Sequence, residues 1–375
     1  MEKRQMYQGM VAIFREIPDP RKGNAIIHDL TETLVIAVLA ILCGMESFVE
    51  MEMFGREREK WLRKFLKLEH GIPSHDTFGD IFAAIDPETF AGAFAKWVEG
   101  LRKRVSGEVV ALDGKTIRAS LDSVKKKKAV HIVSAWAASN RLVLGQVATA
   151  EKSNEITAIP QLLELLELKG CIVTIDAMGT QTKIADKIID KGADYILSVK
   201  KNQGTLYNDI SLFFQTHANE LQEKVKTIEK SHGRFETREC VICKEIDWLD
   251  PERKWRNLAG IAQIISTRQK IDNDTVESDI QFMIFSSNTF TAEQVLAAKR
   301  AHWGIENTLH WALDVAYRED QCRVRSGHAA KVFNFLRHLT MNLLRLDTSS
   351  KIGIAAKRRR CALSTHYLES VLGIP

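Results

Sequence analysis

Between residues 108 and 200 the chain alternates its hydrophobic patterning in a way that few architectures accommodate. Three short stretches rich in β-branched residues come first: EVVALD (108–113), VHIVSAWA (130–137) and RLVLGQVAT (141–149), the last two separated by a short turn containing Ser139 and Asn140. A helix over about 155–168 follows, with Ile156, Ile159, Leu162, Leu163 and Leu166 at helical spacing. The strand CIVTID (171–176), a helix over 181–191 and the strand DYILSVK (194–200) complete the run. The order β-β-β-α-β-α-β predicts a hairpin start with a parallel continuation, hence an α/β fold whose mixed sheet is covered by helices.

The flanks differ from this centre. Residues 1–105 read as helical, with Asp29 and Glu32 as a capping box before the run LVIAVLAILCGM, Ser74 or Asp76 as the cap of a segment carrying Phe78, Ile81 and Phe82, and Asp86 before Pro87 at another helix start. Residues 201–290 turn strand-like again (KVKTIEK, FETRECVIC, IAQIISTRQ, IQFMIFSS) and suggest a β-rich inserted subdomain. A capping box of Thr291 and Gln294 opens a helix expected to run to about 316 through Gly304. The resulting division is a helical unit (1–105), a core in two pieces (106–200 and 291–345), an insertion (201–290) and a basic C-terminal tail (346–375).

The longest apolar run, 34–45, is too short to cross a bilayer and reads as a buried helix, so no membrane partner is expected. The opening residues MEKRQMYQGMVAIF show no signal-peptide pattern. Six scattered cysteines fit reduced thiols in the cytoplasm, and the lone CxxC of Cys240 and Cys243 lacks the further ligands a zinc site requires. Charge is uneven: residues 101–128 carry nine Lys or Arg against three Asp or Glu, and residues 317–375 carry eleven against four. Two such blocks, among them Arg102, Lys125 to Lys128 and Lys357 to Arg360, suit a polyanion or a solvated surface.

Asp113 closes the first strand and Asp176 the fourth. If those strands are parallel neighbours, both acids open onto the sheet edge where ligands bind, and their repulsion calls for a cation between them. Mg²⁺ suits such a site, because it takes one or two carboxylates and leaves its other positions for water and phosphate oxygens. Alone, Asp113 also reads as a turn former before Gly114, and Asp176 as a helix cap. The GKT at 114–116 is no nucleotide loop, since Val109 stands where the earlier glycine is needed; Lys115 and Arg118 remain as phosphate contacts. On the late helix His302, Glu306, His310 and Asp314 recur every fourth residue, as a stripe facing a metal site, as a solvated stripe flanked by Trp303 and Trp311, or as an imitation of a zinc site without HExxH.

Taken together, LDGKTIR, EKSNEITAIP, TIDAMGTQ, YILSVKKNQG, SHGRFETR, HWGIENTLHWALDV and EDQCRVRSGHAA closely resemble the H-repeat-associated, ISAs-type insertion-sequence transposases, over nearly the whole chain. The resemblance implies an RNase H-like core with a β-rich insertion and an N-terminal transposase-associated domain. It implies an Asp-Asp-Glu triad of Asp113, Asp176 and Glu306 that binds two Mg²⁺ or Mn²⁺ ions. It further implies cleavage and joining of double-stranded DNA at insertion-sequence ends, nucleoid association in the cytoplasm, and a homodimer on DNA. Lys115, Arg118, Lys200 and Lys201 of YILSVKKNQG, His232, Arg234, Arg238, Arg300, His302 and His310 are the expected DNA contacts. Related transposases carry Tyr, Arg and Lys around the Glu where this chain has Lys299, His302 and Leu313, so the roles tied to that signature do not carry over; His302 or Arg300 stands as a substitute. The same metal chemistry would serve a nuclease that cleaves without joining, and a DNA-binding relic would keep the acids without the metal.

Overall fold

The alternation in the middle of the chain becomes one nine-stranded sheet. The computed structural model describes residues 3–23, 26–121, 128–149, 155–231, 233–250, 252, 254–270 and 276–374. Its strands are β1 (Val109–Thr116), β2 (His131–Ala137), β3 (Leu142–Thr149), β4 (Ile172–Ile175), β5 (Asp194–Val199), β6 (Lys224–Ser231), β7 (Arg234–Cys243), β8 (Gly260–Lys270) and β9 (Val276–Phe285), in the order β3-β2-β1-β4-β5-β9-β8-β7-β6. β1 pairs antiparallel with β2 and parallel with β4, and β4 pairs parallel with β5. This is the expected mixed sheet, and the fold is RNase H-like.

The insertion does not build a sheet of its own. β9 pairs antiparallel with β5, from Ile196↔Phe285 to Val199↔Phe282, and β8, β7 and β6 follow as a meander. Left uncovered, the outer edge of the buried strand β5 would be an open template for aggregation. The inner end of β9, Phe282 to Phe285, is buried against that edge, whereas its first five residues are exposed. Lys224, Lys226 and Lys230 charge the outermost strand, β6, which keeps that edge soluble. One helix in this region, α8 (Gly204–His217), breaks the strand-like expectation; Ile210 and Phe214 anchor it on the sheet.

Strand β1 also departs from expectation. It does not end at Asp113: pairing with β2 continues through Gly114↔Val133, Lys115↔Ile132 and Thr116↔His131, while pairing with β4 stops at Leu112↔Ile175. Gly114 is therefore not a chain break. A Cβ there would lie 2.4 Å from both Glu155 Oε1 and His131 Nε2, so glycine is what lets those two side chains meet across the strand.

The remaining helices are α1 (Lys3–Glu16), α2 (Leu30–Leu42), α3 (Phe48–Leu62), α4 (His75–Ala84), α5 (Pro87–Leu101), α6 (Glu155–Leu165), α7 (Thr182–Asp190), α9 (Ala292–Gly304), α10 (Trp311–Ala316), α11 (Ala329–Leu346), α12 (Ile354–Leu363) and α13 (Thr365–Leu372). The apolar run forms α2, which is buried almost throughout. Asp29 caps it by accepting from the Glu32 N–H, but the Glu32 carboxylate does not reach back; it accepts instead from the Lys67 and Leu68 N–H groups at 2.6 and 3.1 Å. Ser74, not Asp76, caps α4, and Asp86 caps α5 ahead of Pro87. No described helix is long and apolar enough to cross a membrane.

Helix α11 joins the layers. Phe333 packs on Phe48 and Phe82, and Phe335 stacks on Phe90 with ring centroids 5.2 Å apart. Two turns further along, Asn342 donates to Val143 O and accepts from Val143 N–H, both at 2.9 Å, which satisfies backbone groups of β3. The helical N-terminal segment and the sheet thus share one hydrophobic core.

The segment expected as a basic tail is structural. α12 and α13 pack on the N-terminal helices, and Lys357 and Arg358 are buried. Lys357 Nζ donates to Leu344 O at 2.7 Å and to Asp347 O, closing the end of α11. Arg358 donates to Ile41 O at 2.7 and 3.0 Å and to Ala316 O, so one guanidinium caps the C-termini of both α2 and α10. Its charge is met by Glu46 at 2.6 Å. Arg102 of the first basic block is likewise internal, paired with buried Glu108 at 2.8 and 2.9 Å; Lys125 to Lys127 of the lysine run lie outside the described residues. Replacing Arg358 with Ala should therefore cost about 3–5 kcal/mol in urea unfolding, because it strands two helix ends; an arginine serving only a polyanion would leave the midpoint where it was.

Candidate functional site

Strands β1 and β4 run parallel side by side, and the helix that follows the insertion crosses them, making contacts with β1 and β4. Asp113 sits where β1 parts from β4. Asp176 comes directly after β4. Its Oδ1 accepts from the Met178 N–H at 3.0 Å, and its backbone carbonyl accepts from Gly179 N–H at 3.1 Å and Thr180 Oγ1 at 3.2 Å. It does not cap α7, whose N-cap is Gln181. The carboxylate is thus held by its own turn at the sheet edge.

Glu306 sits in a widened helical turn. Residues Ile305–His310 form a π turn between α9 and α10, so the expected helix is continuous but not regular. Such turns widen the hydrogen-bond ladder and leave carbonyls to be satisfied from outside. Arg345 of α11 does this for Thr308 O at 2.9 Å, with its guanidinium stacked on Trp136 at 4.7 Å. The wide turn breaks the expected four-residue stripe. His302 points inward, Glu306 is exposed, His310 approaches Asp113 with Nδ1 3.6 Å from Oδ2, and Asp314 reaches Lys115 at 2.7 Å.

The electrostatics register the gathering of acids. The Asp113 carboxyl is pushed up to about 7, first by burial and then by Glu306, Asp176 and Glu155, against a lowering hydrogen bond from Gly114. Near the same acids, burial and the Lys200 ammonium push Lys299 below the ordinary lysine range. Oxygen donors of this kind match a hard divalent ion, which would relieve their mutual repulsion. Among the described residues no three His, Cys, Asp or Glu side chains stand close enough together to grip an ion directly. An ion that keeps several waters of its own and touches one or two carboxylates fits such an open arrangement.

Around the acids lie further ionisable groups, of which the sequence did not single out His131, Glu155, Glu319 or Asp320 for a role at the site. His131 Nε2 bonds Glu155 Oε1 at 2.6 Å and its Nδ1 meets Thr116 Oγ1 at 2.9 Å. Lys115 is surrounded by Asp314, Glu319 and Asp320 at 2.7, 3.1 and 3.3 Å, and Glu319 also accepts from Asn334. The adjacency of Glu319 and Asp320 was visible in EDQC, but nothing in the sequence tied either to Lys115.

The expected DNA contacts divide by exposure. Lys115 is only 12% exposed and belongs to the ion-pair hub. His302 is buried, bonds Thr174 Oγ1 at 3.0 Å, and is pushed down to about 3 by burial and Lys299, so it stays neutral and cannot replace a phosphate-gripping arginine. His310 is pushed down to about 4 by burial and Lys115, and it faces Asp113 rather than solvent. Arg238 is 14% exposed and spent on Glu229 and Glu236. Lys200, Lys201, Arg118, Arg234 and Arg300 keep outward access, the last three with carboxylate partners Asp320, Glu236 and Glu229 at 3.4, 2.5 and 2.7 Å. His232 lies outside the described residues.

Two family models match the chain: one described as DDE_Tnp_1-associated over residues 11–98, the other as Transposase DDE domain over residues 105–343. "Putative transposase YncI" of Escherichia coli O157:H7 is 42% identical over 97% of this chain and 94% of its own length. "H repeat-associated putative transposase YhhI" of Escherichia coli K12 is 38% identical over 95% of each. Among solved structures, the piggyBac transposase synaptic complex with hairpin DNA aligns at a TM-score of 0.41 and 9% identity, over 100% of this chain and 79% of that one.

The raised Asp113 carboxyl has a measurable consequence. Its folded value lies above its unfolded value near 3.8, so the folded state binds more protons between those limits, and stability declines as pH rises from about 4 to 7. Without added cations, urea unfolding across that range should show a flatter profile for Asp113→Asn than for the unchanged protein; parallel profiles would mean the acid is not perturbed.

Proposed function

This chain belongs to the DDE transposase family, and on that premise we propose that it cleaves and joins DNA strands at insertion-sequence ends, with Asp113, Asp176 and Glu306 as the acidic triad. Enzymes of this family are polynucleotidyl transferases that depend on divalent metal. The observation that supports the triad is that Asp113, where β1 parts from β4, is raised first by burial and then by Glu306 of the π turn, Asp176 of the turn after β4 and Glu155.

Two Mg²⁺ or Mn²⁺ ions, held by these three carboxylates, would supply activation of water or a 3′ hydroxyl and stabilisation of the leaving oxygen. The chain's own residues do the rest. The turn at Asp176 and the brace from Arg345 hold two of the three acid-bearing segments still. Neutral His310 approaches Asp113 without competing for its charge as a cation would. Exposed Lys200, Lys201, Arg118 and Arg300 are the groups that would steer a phosphate backbone to the edge, and that attraction is independent of base sequence. Bringing two element ends together calls for two copies of the chain on DNA.

Incubating the full chain with a labelled duplex ending in an element terminus should give nicked and joined products that require Mg²⁺ or Mn²⁺. Asp113→Ala, Asp176→Ala and Glu306→Ala should each fall to background while still folding. Equal activity in all four proteins would remove the triad; nicking without joined product would make the protein a nuclease.

A further inference from the structure

Ten residues past Glu306, the same helical segment ends in a cleft of about 750 Å³ between the end of α10, the turn after α2, and α12. Five arginines line it: Arg318, Arg323, Arg337, Arg358 and Arg359. Its two acids are already committed. Glu46 lies 3.0 Å from Arg337 and 2.6 Å from Arg358, and Glu50 accepts from the Glu46 N–H at 2.6 Å. Buried Arg337 and Arg358 therefore make the floor, and Arg337 Nε is without a hydrogen-bond partner. The other three arginines are exposed at the rim with no acidic partner among the described residues.

One of the three is held at a cost. Arg318 has φ +46°, the left-handed region that a side chain other than glycine, asparagine or aspartate seldom adopts. A glycine would suit that turn better, so an arginine there trades backbone comfort for something its guanidinium does. Five forked cations around two spent acids leave an excess of positive charge whose natural complement is a run of phosphate oxygens.

We infer that this cleft is a second binding site for phosphates of duplex DNA, separate from the carboxylate edge and engaged by Arg318, Arg323 and Arg359. The inference rests on the DNA-processing reading given above. The path along the helix from Glu306 to Ala316 is about 15 Å, which equals the rise of four to five base pairs, so one duplex is long enough to reach both places.

The test measures binding of the full chain to a nonspecific duplex by fluorescence anisotropy across a salt series. Variants are Arg318→Gln, Arg323→Gln, Arg359→Gln and the triple, with Lys96→Gln, an exposed lysine of α5 paired with Glu16, as a control outside the cleft. Each cleft substitution should make the slope of log affinity against log salt shallower by about 0.9, while Lys96→Gln keeps the original slope. Arg318→Gly separates binding from folding: it should weaken DNA binding yet melt no lower than the unchanged protein, which a purely structural arginine would not do. A triple variant with an unaltered slope overturns the cleft and leaves the DNA reading standing. Absence of salt-dependent DNA binding by the unchanged protein overturns both. Stabilisation by inorganic tripolyphosphate that depends on the same arginines, with the DNA slope unchanged, would assign the cleft to a free polyphosphate and refute the DNA site.

Discussion

Glu306 and Asp176 bear electrostatically on Asp113, and like charges stay near one another only where the fold holds them against their repulsion. Here the sheet does so for two of them, because β1 and β4 are fixed by parallel pairing that stops one residue before each acid. The third arrives on a helix whose position is set by packing rather than by the strand ladder. That helix contacts β1 and β4, has Thr308 O held by Arg345, and is closed at its far end by Arg358. The rest of the molecule reads as support for that approach: α11 carries the brace and touches both the helical layer and β3, and α12 carries the clamp.

Positive charge serves two ends that a sequence count does not separate. Arg102, Arg337, Lys357 and Arg358 are buried, and each is spent on carbonyls or a carboxylate within the fold. Lys200, Lys201, Arg318, Arg323 and Arg359 are exposed, with no acid beside them among the described residues. Net charge over a segment is a statement about both groups at once, and only their burial tells which can attract a ligand.

Much of the fold was legible because it depends on local chemistry. β-branched runs gave β1 to β5 within a few residues, and Ser74, Asp86 and Thr291 cap the helices their positions announce. Asp113 and Asp176 could be singled out because each follows a run of apolar residues. What stayed hidden was non-local. Lys115 meets carboxylates some two hundred residues away, and Glu155 looks like any acid at a helix start. The strand-like insertion could not announce that it would continue the core sheet, since strand pairing has no sequence signature of its own, and α8 was masked by β-branched and aromatic residues that suit a strand equally well. The π turn was likewise invisible, because Ile305–His310 satisfies the ordinary helical period.

A wide turn of that kind amounts to a helix holding one more residue than its ladder has rungs for. Deleting a single position there would close the ladder into an ordinary α-helix and leave α10 in phase, with Asp314 still at Lys115 and Ala316 still at Arg358. Only the residues of the turn itself, Glu306 to His310, would shift against β1. One surplus residue thus sets where those side chains point, while both ends of the helix stay anchored.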